Sequence, residues 1–449
     1  MGRVEWAAAL VSFAFALVLG AGAARGDQWP QWRGPQGTGV APDTGLPTRW
    51  SPDEVTWKAR LGGLGVSSPV VWGDRIFVTS QTGRVALRAG THPTLARGEE
   101  ARAEKPLGAA AAPGAADSGK VRFLVEAFHR KDGRRLWQYA VEAEGDLPEV
   151  HQKHNLASPS PVTDGRYVYA WFGSGQLVAL DVEGKLAWQR HLAREYGPFD
   201  VAWGHGSSPA LYRDLVILLC DHNPASYLIA LDKRTGKVRW RADREKGSVS
   251  YSTPTVVPTA TGDELVVNST RRIDGYDPAT GKLLWWVGEP IRFAIPVPAF
   301  GEGVLYLSRG YRSGPYMAVR AGGRGDVSKT QVGWSVPTGA PYVSSLLYYQ
   351  GLVYMANDVG VVTAVDARTG EKVWQERIEG IFTASPVGAD GKVYLVSETG
   401  ETIVLQAGRP PRVLARNSVG ERSVATPAIS DGQIFIRTDD NIICVGKKS

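Results

Sequence analysis

Ile229-Ala230-Leu231-Asp232-Lys233-Arg234-Thr235-Gly236-Lys237-Val238-Arg239-Trp240 reads as the end of one strand, a tight turn and the start of the next. The apolar run supplies the first strand, Asp232 is placed to cap the turn, Gly236 to take the positive φ, and Trp240 marks a fixed position on the returning strand. Ala364 to Trp374 repeats the same reading, with Asp366, Gly370 and Trp374 at the same offsets. The spacing of Gly to Trp recurs at Gly133 and Trp137, Gly184 and Trp188, and Gly281 and Trp285. Self-similarity at a fixed period signals a repeat architecture.

A second mark confirms the period. A small residue and a proline precede a β-branched or aromatic strand at Ser68-Pro69, Ser160-Pro161, Ser208-Pro209, Thr253-Pro254, Pro298, Pro386 and Pro427, and Ser344-Ser345 does so without the proline. Eight units result, mostly 41 to 48 residues apart, each with room for four short strands. That spacing of strands and turns predicts an all-β, eight-bladed β-propeller of four-stranded antiparallel blades. The last unit has three strands, Val424–Ser430, Gln433–Thr438 and Asn441–Val445, while Val55 to Leu61 is a Trp-bearing strand with no blade of its own. Joining the two closes the ring and removes two free sheet edges.

The chain of 449 residues holds 53 Gly and 28 Pro, 43% apolar residues, 15 Trp and only 3 Met, which fits a turn-rich β fold and excludes a helical bundle. Lys plus Arg number 51 against 45 Asp plus Glu without a run of like charge, so nucleic acid is not an expected partner. Residues 1–26 read as a secretory signal, with Arg3, an apolar stretch from Trp6 to Leu19 and a small-residue tail cleavable after Ala23 or Gly26. That stretch is too short to span a bilayer, and a monomer outside the cytoplasm, periplasmic or extracellular, is expected. Residues 27–54 form a lead-in, 55–446 the propeller, 89–119 an aperiodic insertion in blade 1 and 447–449 a tail. Cys220 and Cys444 match no zinc spacing and read as two buried small hydrophobes or as a disulfide.

The Ala/Gly-x-Asp-x-x-Thr-Gly-Lys-x-x-Trp pattern resembles the pyrroloquinoline-quinone-type (PQQ-like) β-propeller repeat over residues 55–446, and Trp29 to Pro35 is similar to the lead-in of its secreted bacterial members. The resemblance implies that Trp57, Trp137, Trp188, Trp240, Trp285, Trp334 and Trp374 dock each blade onto its neighbour. It also brings two kinds of relative, quinone-dependent alcohol and sugar dehydrogenases and non-catalytic scaffolds of the outer-membrane β-barrel assembly machinery. The chain departs from the dehydrogenases: it has no adjacent cysteines, no Glu, Asn and Asp set for calcium can be placed by motif, and blade 7 reads Arg412-Val413-Leu414-Ala415 where a Trp is due.

Function in such a ring belongs to the loops around the channel mouth. His154, His205, Tyr251, Arg292, Tyr342, Phe382 and Arg422 fall just before the first strands. Asp221-His222-Asn223, Arg271-Arg272, Arg309, Tyr311, Asn357-Asp358, Glu398 and Asp439-Asp440 fall at the turns between second and third strands. His151, His154, His205 and His222 with Asp221 make a candidate metal or acid-base cluster, or else loop histidines held by hydrogen bonds. Arg271, Arg272, Arg292, Arg309 and Arg422 are candidates to clamp an anion, quinone carboxylates or a polysaccharide acid, or else solvated. Ser207 in Gly204-His205-Gly206-Ser207 mimics a nucleophile turn but aligns with Ser67 and Ser252 of other blades. The favoured function is a non-catalytic platform for a protein, peptide or envelope polymer. The alternatives are a quinoprotein oxidoreductase with pyrroloquinoline quinone and calcium, and a metal-dependent enzyme using the histidines.

Overall fold

The computed structural model describes residues 28–83 and 120–447 apart from positions 149, 152, 202 and 312. The signal segment and the insertion at 89–119 lie outside the described residues. Eight antiparallel blades follow one another around a central channel, each with its first strand innermost and its fourth at the rim. Blade 3 shows the design: Ala210–Tyr212, Leu215–Cys220, Tyr227–Asp232 and Val238–Asp243 pair in chain order. Its middle strands are buried along almost their whole length, whereas the fourth alternates between exposed and half-buried positions. Inner strands therefore read as continuous apolar runs, and rim strands as alternating ones.

The ring closes through the N-terminal strand. Trp57–Arg60 pairs antiparallel with Asn441–Gly446, setting Trp57 opposite Cys444 and Arg60 opposite Asn441. Arg437, buried in blade 8, reaches blade 1 through Nη1 to the Ser67 and Thr79 carbonyls at 3.2 and 2.5 Å. Cys220 and Cys444 are both buried free thiols, so the disulfide alternative falls.

Each rim-strand Trp works on the blade that follows it. Trp188 lies over Gly236, where an added Cβ would come within 2.7 Å of the indole, and its Nε1 donates to the Lys233 carbonyl of the same turn at 2.9 Å. Trp57, Trp137, Trp240 and Trp334 meet Gly133, Gly184, Gly281 and Gly370 in the same way, and their Nε1 groups donate to carbonyls of those turns. Trp374 donates to the Gly408 carbonyl at 3.1 Å. The glycine is thus required twice, by a positive φ of 67° at Gly236 and by the ring that covers it. On the third strand the residue opposite the Trp is small: Ala127, Ala179, Ala230, Ala318 and Ala364, with Gly275 in blade 4. Directly beyond it the register shifts by a bulge in each of these blades, which strengthens the local twist.

Two blades depart from this pattern. Trp285 is 1% exposed and donates to Glu264 Oε2 of its own blade at 2.8 Å, and the rim of blade 4 gains a fifth, parallel strand, Gly325–Asp326, from the connection inside blade 5. In blade 7, Ala415 stands in the Trp position opposite Val404, a larger residue facing a smaller one. Trp50 of the lead-in, anchored by its N–H to Asn417 Oδ1 at 2.9 Å, enters the same core cluster as Ala415.

Truncating Trp188 to Ala is expected to cost about 3–5 kcal/mol. Gly236→Ala, which meets both an unfavourable φ and the overlying indole, should cost about 1–3 kcal/mol. Both are read from urea unfolding midpoints, with the exposed Val238→Thr, expected within about 0.5 kcal/mol of the parent, as control.

Candidate binding site at the channel mouth

The residue at the entry to the first strand, noted in the sequence only as small, carries in every blade but the fifth a hydroxyl, and these hydroxyls stitch the channel wall. The Ser68 N–H donates to Ser160 Oγ at 2.8 Å, Ser160 N–H to Ser208 Oγ at 2.9 Å, and Ser208 N–H to Thr253 Oγ1 at 2.9 Å. A second arc runs from Val297 N–H to Ser345 Oγ, Ser345 N–H to Ser385 Oγ and Ser385 N–H to Thr426 Oγ1, at 3.0 to 3.1 Å. Val297, which has no hydroxyl, cannot accept from Thr253, and the belt is interrupted there. Each bond joins the same position in two successive blades, so the belt sets the bore of the channel.

The lead-in closes one end of that bore. Trp29 pairs in both directions with Val71 of blade 1, the Pro30 carbonyl accepts from Thr163 of blade 2, and the Gly39 carbonyl accepts from Gly388 of blade 7. Between these anchors Arg33 is fully enclosed, donating from Nη2 to the Thr38 and Leu346 carbonyls at 2.8 and 2.6 Å, and burial pulls its pKa down to about 9. Trp32 lines the cavity that remains above, a blind pocket of about 310 Å³.

The wall of this pocket is divided in character. Trp203, Tyr251, Phe293, Tyr311 and Tyr342 line one part and pack on one another, with ring centroids 6.4 Å apart for Trp203 and Phe293, 5.4 Å for Phe293 and Tyr311, and 5.4 Å for Tyr311 and Tyr342. Phe293 has φ +52°, a conformation costly for a bulky residue that persists only where its surroundings impose it. Elsewhere the lining mixes apolar side chains such as Val66, Ile295 and Val424 with polar ones: His154, Lys153, Ser158, Asp358, Thr383 and the belt hydroxyls. Lys153 Nζ pairs with Glu398 Oε1 at 2.6 Å, joining the loop ahead of blade 2 to blade 7. Lys153, Trp203 and Phe293 carry no repeat signal, and the sequence reading missed them.

The histidines do not converge. His205 is 1% exposed, with Nε2 donating to the Leu219 carbonyl at 2.9 Å and Nδ1 accepting from Trp171 Nε1 at 3.2 Å; burial drives its pKa down to about 3. His222 is buried against Phe199, with ring centroids 4.3 Å apart. His151 and His154 do line the cavity, their rings 6.5 Å apart, and burial lowers both, His151 to about 4. His154 Nε2 lies 2.6 Å from the Trp203 carbonyl. Among the described residues no three His, Cys, Asp or Glu side chains are grouped to hold a metal, which removes the ligand set drawn from His151, His154, His205 and His222.

Other expected mouth residues also lie elsewhere. Asp221 is buried and paired with Arg244 at 2.7 Å, and burial pushes its carboxyl above the usual range while Arg244 pulls it down. Arg309 is buried between blades, donating from Nη1 to Asn268 Oδ1 at 2.7 Å and to the Ser269 carbonyl at 2.6 Å. Phe382 is wholly in the core. Arg271 pairs with Glu245 at 3.0 Å, Arg272 with Asp274 at 2.7 Å, and Arg422 with both oxygens of Asp439 at 2.8 and 3.0 Å. Arg292 differs: it is exposed, with its guanidinium carbon 5.4 Å from the Phe293 centroid and 5.5 Å from that of Tyr311.

Since His205 is held neutral when folded and takes a proton at ordinary pH only when unfolded, it stabilises the fold above pH 6.5, and that contribution is lost as pH falls toward 3. Unfolding free energy should therefore decline on acidification below pH 6.5, with His205 contributing a slope of up to about 1.4 kcal/mol per pH unit. His205→Gln, which can keep a donor and an acceptor, should flatten that slope in urea titrations between pH 7 and 5.

A tetrathionate hydrolase of Acidithiobacillus ferrooxidans is 25% identical over 297 residues, covering 61% of this chain and 53% of that protein. An outer membrane protein assembly factor BamB of Yersinia pestis is 21% identical over 322 residues, 70% of this chain and 66% of that one. A polyvinylalcohol dehydrogenase of a Pseudomonas species is 28% identical over 266 residues, 48% and 40%. The chain thus spans between 40% and 66% of the length of these relatives. Two solved structures share the fold. A europium-containing methanol dehydrogenase has a TM-score of 0.63 at 12% identity, covering 93% of this chain and 91% of its own. BamB from Moraxella catarrhalis has 0.53 at 17% identity, covering 73% and 89%. The family model described as outer membrane protein assembly factor BamB matches residues 121–288, 270–378 and 358–446, most of the propeller, and the chain belongs to that family of PQQ-like propellers.

Proposed function

We propose that this protein is an exported binding module that takes a ligand into the aromatic mouth of its blind channel without transforming it. The observation that carries this reading is the continuous wall of Trp203, Tyr251, Phe293, Tyr311 and Tyr342 above a floored cavity, a concave and largely apolar surface with a few polar groups, as ligand sites are. The charged side chains around it are largely spent on one another, Lys153 on Glu398 and Arg422 on Asp439, which favours holding over proton transfer. Export rests on the leader-like residues 1–26, and no described helix is long and apolar enough to cross a membrane.

The dehydrogenase relatives raise pyrroloquinoline quinone with calcium as an occupant. Calcium takes six to eight oxygen ligands, with carboxylates prominent among them. At this mouth Glu398 is held by Lys153 and Thr383, which leaves Asp358 as the carboxylate lining the cavity. The residues do not fit that pair.

Protein mixed with the quinone and calcium and then gel-filtered should emerge without the quinone's visible absorbance. A photoreactive benzoylphenylalanine at Tyr342 should trap an envelope component, whereas the same group at rim residue Val238 should not. Stoichiometric retained quinone, or equal trapping from both positions, overturns the reading. Mass spectrometry of exported protein should place the mature N-terminus after Ala23 or Gly26.

A further inference from the structure

We infer that the mouth selects an acidic saccharide, a hexuronate unit of a carboxylated polysaccharide. This rests on the binding-module reading and adds the class of occupant. A pyranose ring offers a face of C–H groups and an edge of hydroxyls, so its site needs aromatic surface on one side and oxygen acceptors on the other. Both are present in one cavity: the tilted and T-shaped aromatic wall from Trp203 to Tyr342, and the polar lining that includes Asp358, Ser158 and Thr383. Asp358 is 9% exposed and has no ion pair among the described residues, which leaves its carboxylate to accept from neighbouring sugar hydroxyls.

The selection for acid comes from Arg292. Lys153, Arg271, Arg272 and Arg422 each have a carboxylate partner. Arg292 has none among the described residues and is instead positioned over the rings of Phe293 and Tyr311, two members of the wall. Cation–π contact orients a guanidinium while leaving its planar fork of donors free for a two-point bond to a carboxylate. The backbone beneath is held in place: Phe293 keeps φ +52°, the Ile291 N–H donates to the Thr270 carbonyl at 2.7 Å, and the Ala294 carbonyl accepts from Tyr251 N–H at 2.9 Å. A positively charged side chain stacked on an aromatic wall, at the edge of a cavity that ends in hydroxyls, fits a ring that carries one carboxylate. An acidic peptide is the competing occupant.

The test titrates the full-length mature protein, by calorimetry and tryptophan fluorescence, with tetrasaccharides of galacturonate, mannuronate and hyaluronan, their carboxyl-reduced counterparts and a hexaglutamate peptide. At least one acidic tetrasaccharide should bind about tenfold more tightly than its reduced form, as expected for one charged two-point contact. Arg292→Gln should erase that difference, and Tyr342→Ala should weaken the acidic and reduced forms alike, with near-ultraviolet circular dichroism showing both variants folded. Equal binding of acidic and reduced forms overturns the inference, as does binding of none of the three saccharides. If hexaglutamate binds and the saccharides do not, the acidic-saccharide inference falls while the binding module stands. If neither the saccharides nor hexaglutamate binds and position 342 traps nothing, both fall.

Discussion

Everything in this ring depends on an indole laid across a glycine of the next blade. A four-stranded blade has one apolar face too many to be stable alone, and the Trp on its rim strand covers that face while its N–H satisfies a carbonyl of the neighbouring turn. The glycine accepts the ring because it has no Cβ, and the alanine opposite the Trp gives the indole its room. One residue of each kind per blade, repeated, converts a local turn into a closed circle. Where the unit fails, the molecule replaces it with something else: Trp285 turns to Glu264, and the lead-in's Trp50 enters the cluster around Ala415.

A second repeated contact acts at the opposite edge of the blades. The hydroxyl belt uses the first-strand entry residue, which in most blades precedes proline and is biased to extended backbone, and each hydroxyl accepts from the N–H of the equivalent residue in the preceding blade. Rim and bore are therefore determined separately, by indoles outside and hydroxyls inside. The cavity inherits a polar depth from the belt and an aromatic mouth from loops that lie outside the repeat.

That division explains how much could be read in advance. The turn from Asp232 to Gly236 and the small-residue step before Pro209 recur in register, so blade number, strand order and the pairing of Val55 to Leu61 with the last blade were legible from periodicity alone. The site was less so. Tyr311, Tyr342, His154 and Asp358 were assigned to the mouth from their loop positions, and all four line the cavity. Asp221, His205, His222, Arg309 and Phe382 occupy comparable positions in the chain yet turn inward, because partners distant in sequence draw them there: Arg244 for Asp221, Leu219 and Trp171 for His205, Asn268 for Arg309. A one-dimensional pattern places a residue at a loop; only the packing of neighbouring blades decides which way its side chain faces. Trp203 and Phe293 escaped notice for the complementary reason, since no repeat marks them.

The lead-in crosses beneath the bore from blade 1 to blade 7, skirts blade 8 and ends as that blade's outer strand. One continuous ribbon is thus both stopper and buckle. Its anchors belong to blades at both extremes of the polypeptide, so those at blades 1 and 2 can form early while the buckle waits for the final sheet. Early in synthesis the ribbon has only blades 1 and 2 to hold, and its hold on blades 6, 7 and 8 comes last. A chain assembled in this order stays open, with both sheet edges bare, until its two ends meet, and the entropy of bringing together segments nearly the whole sequence apart is spent in that single late event.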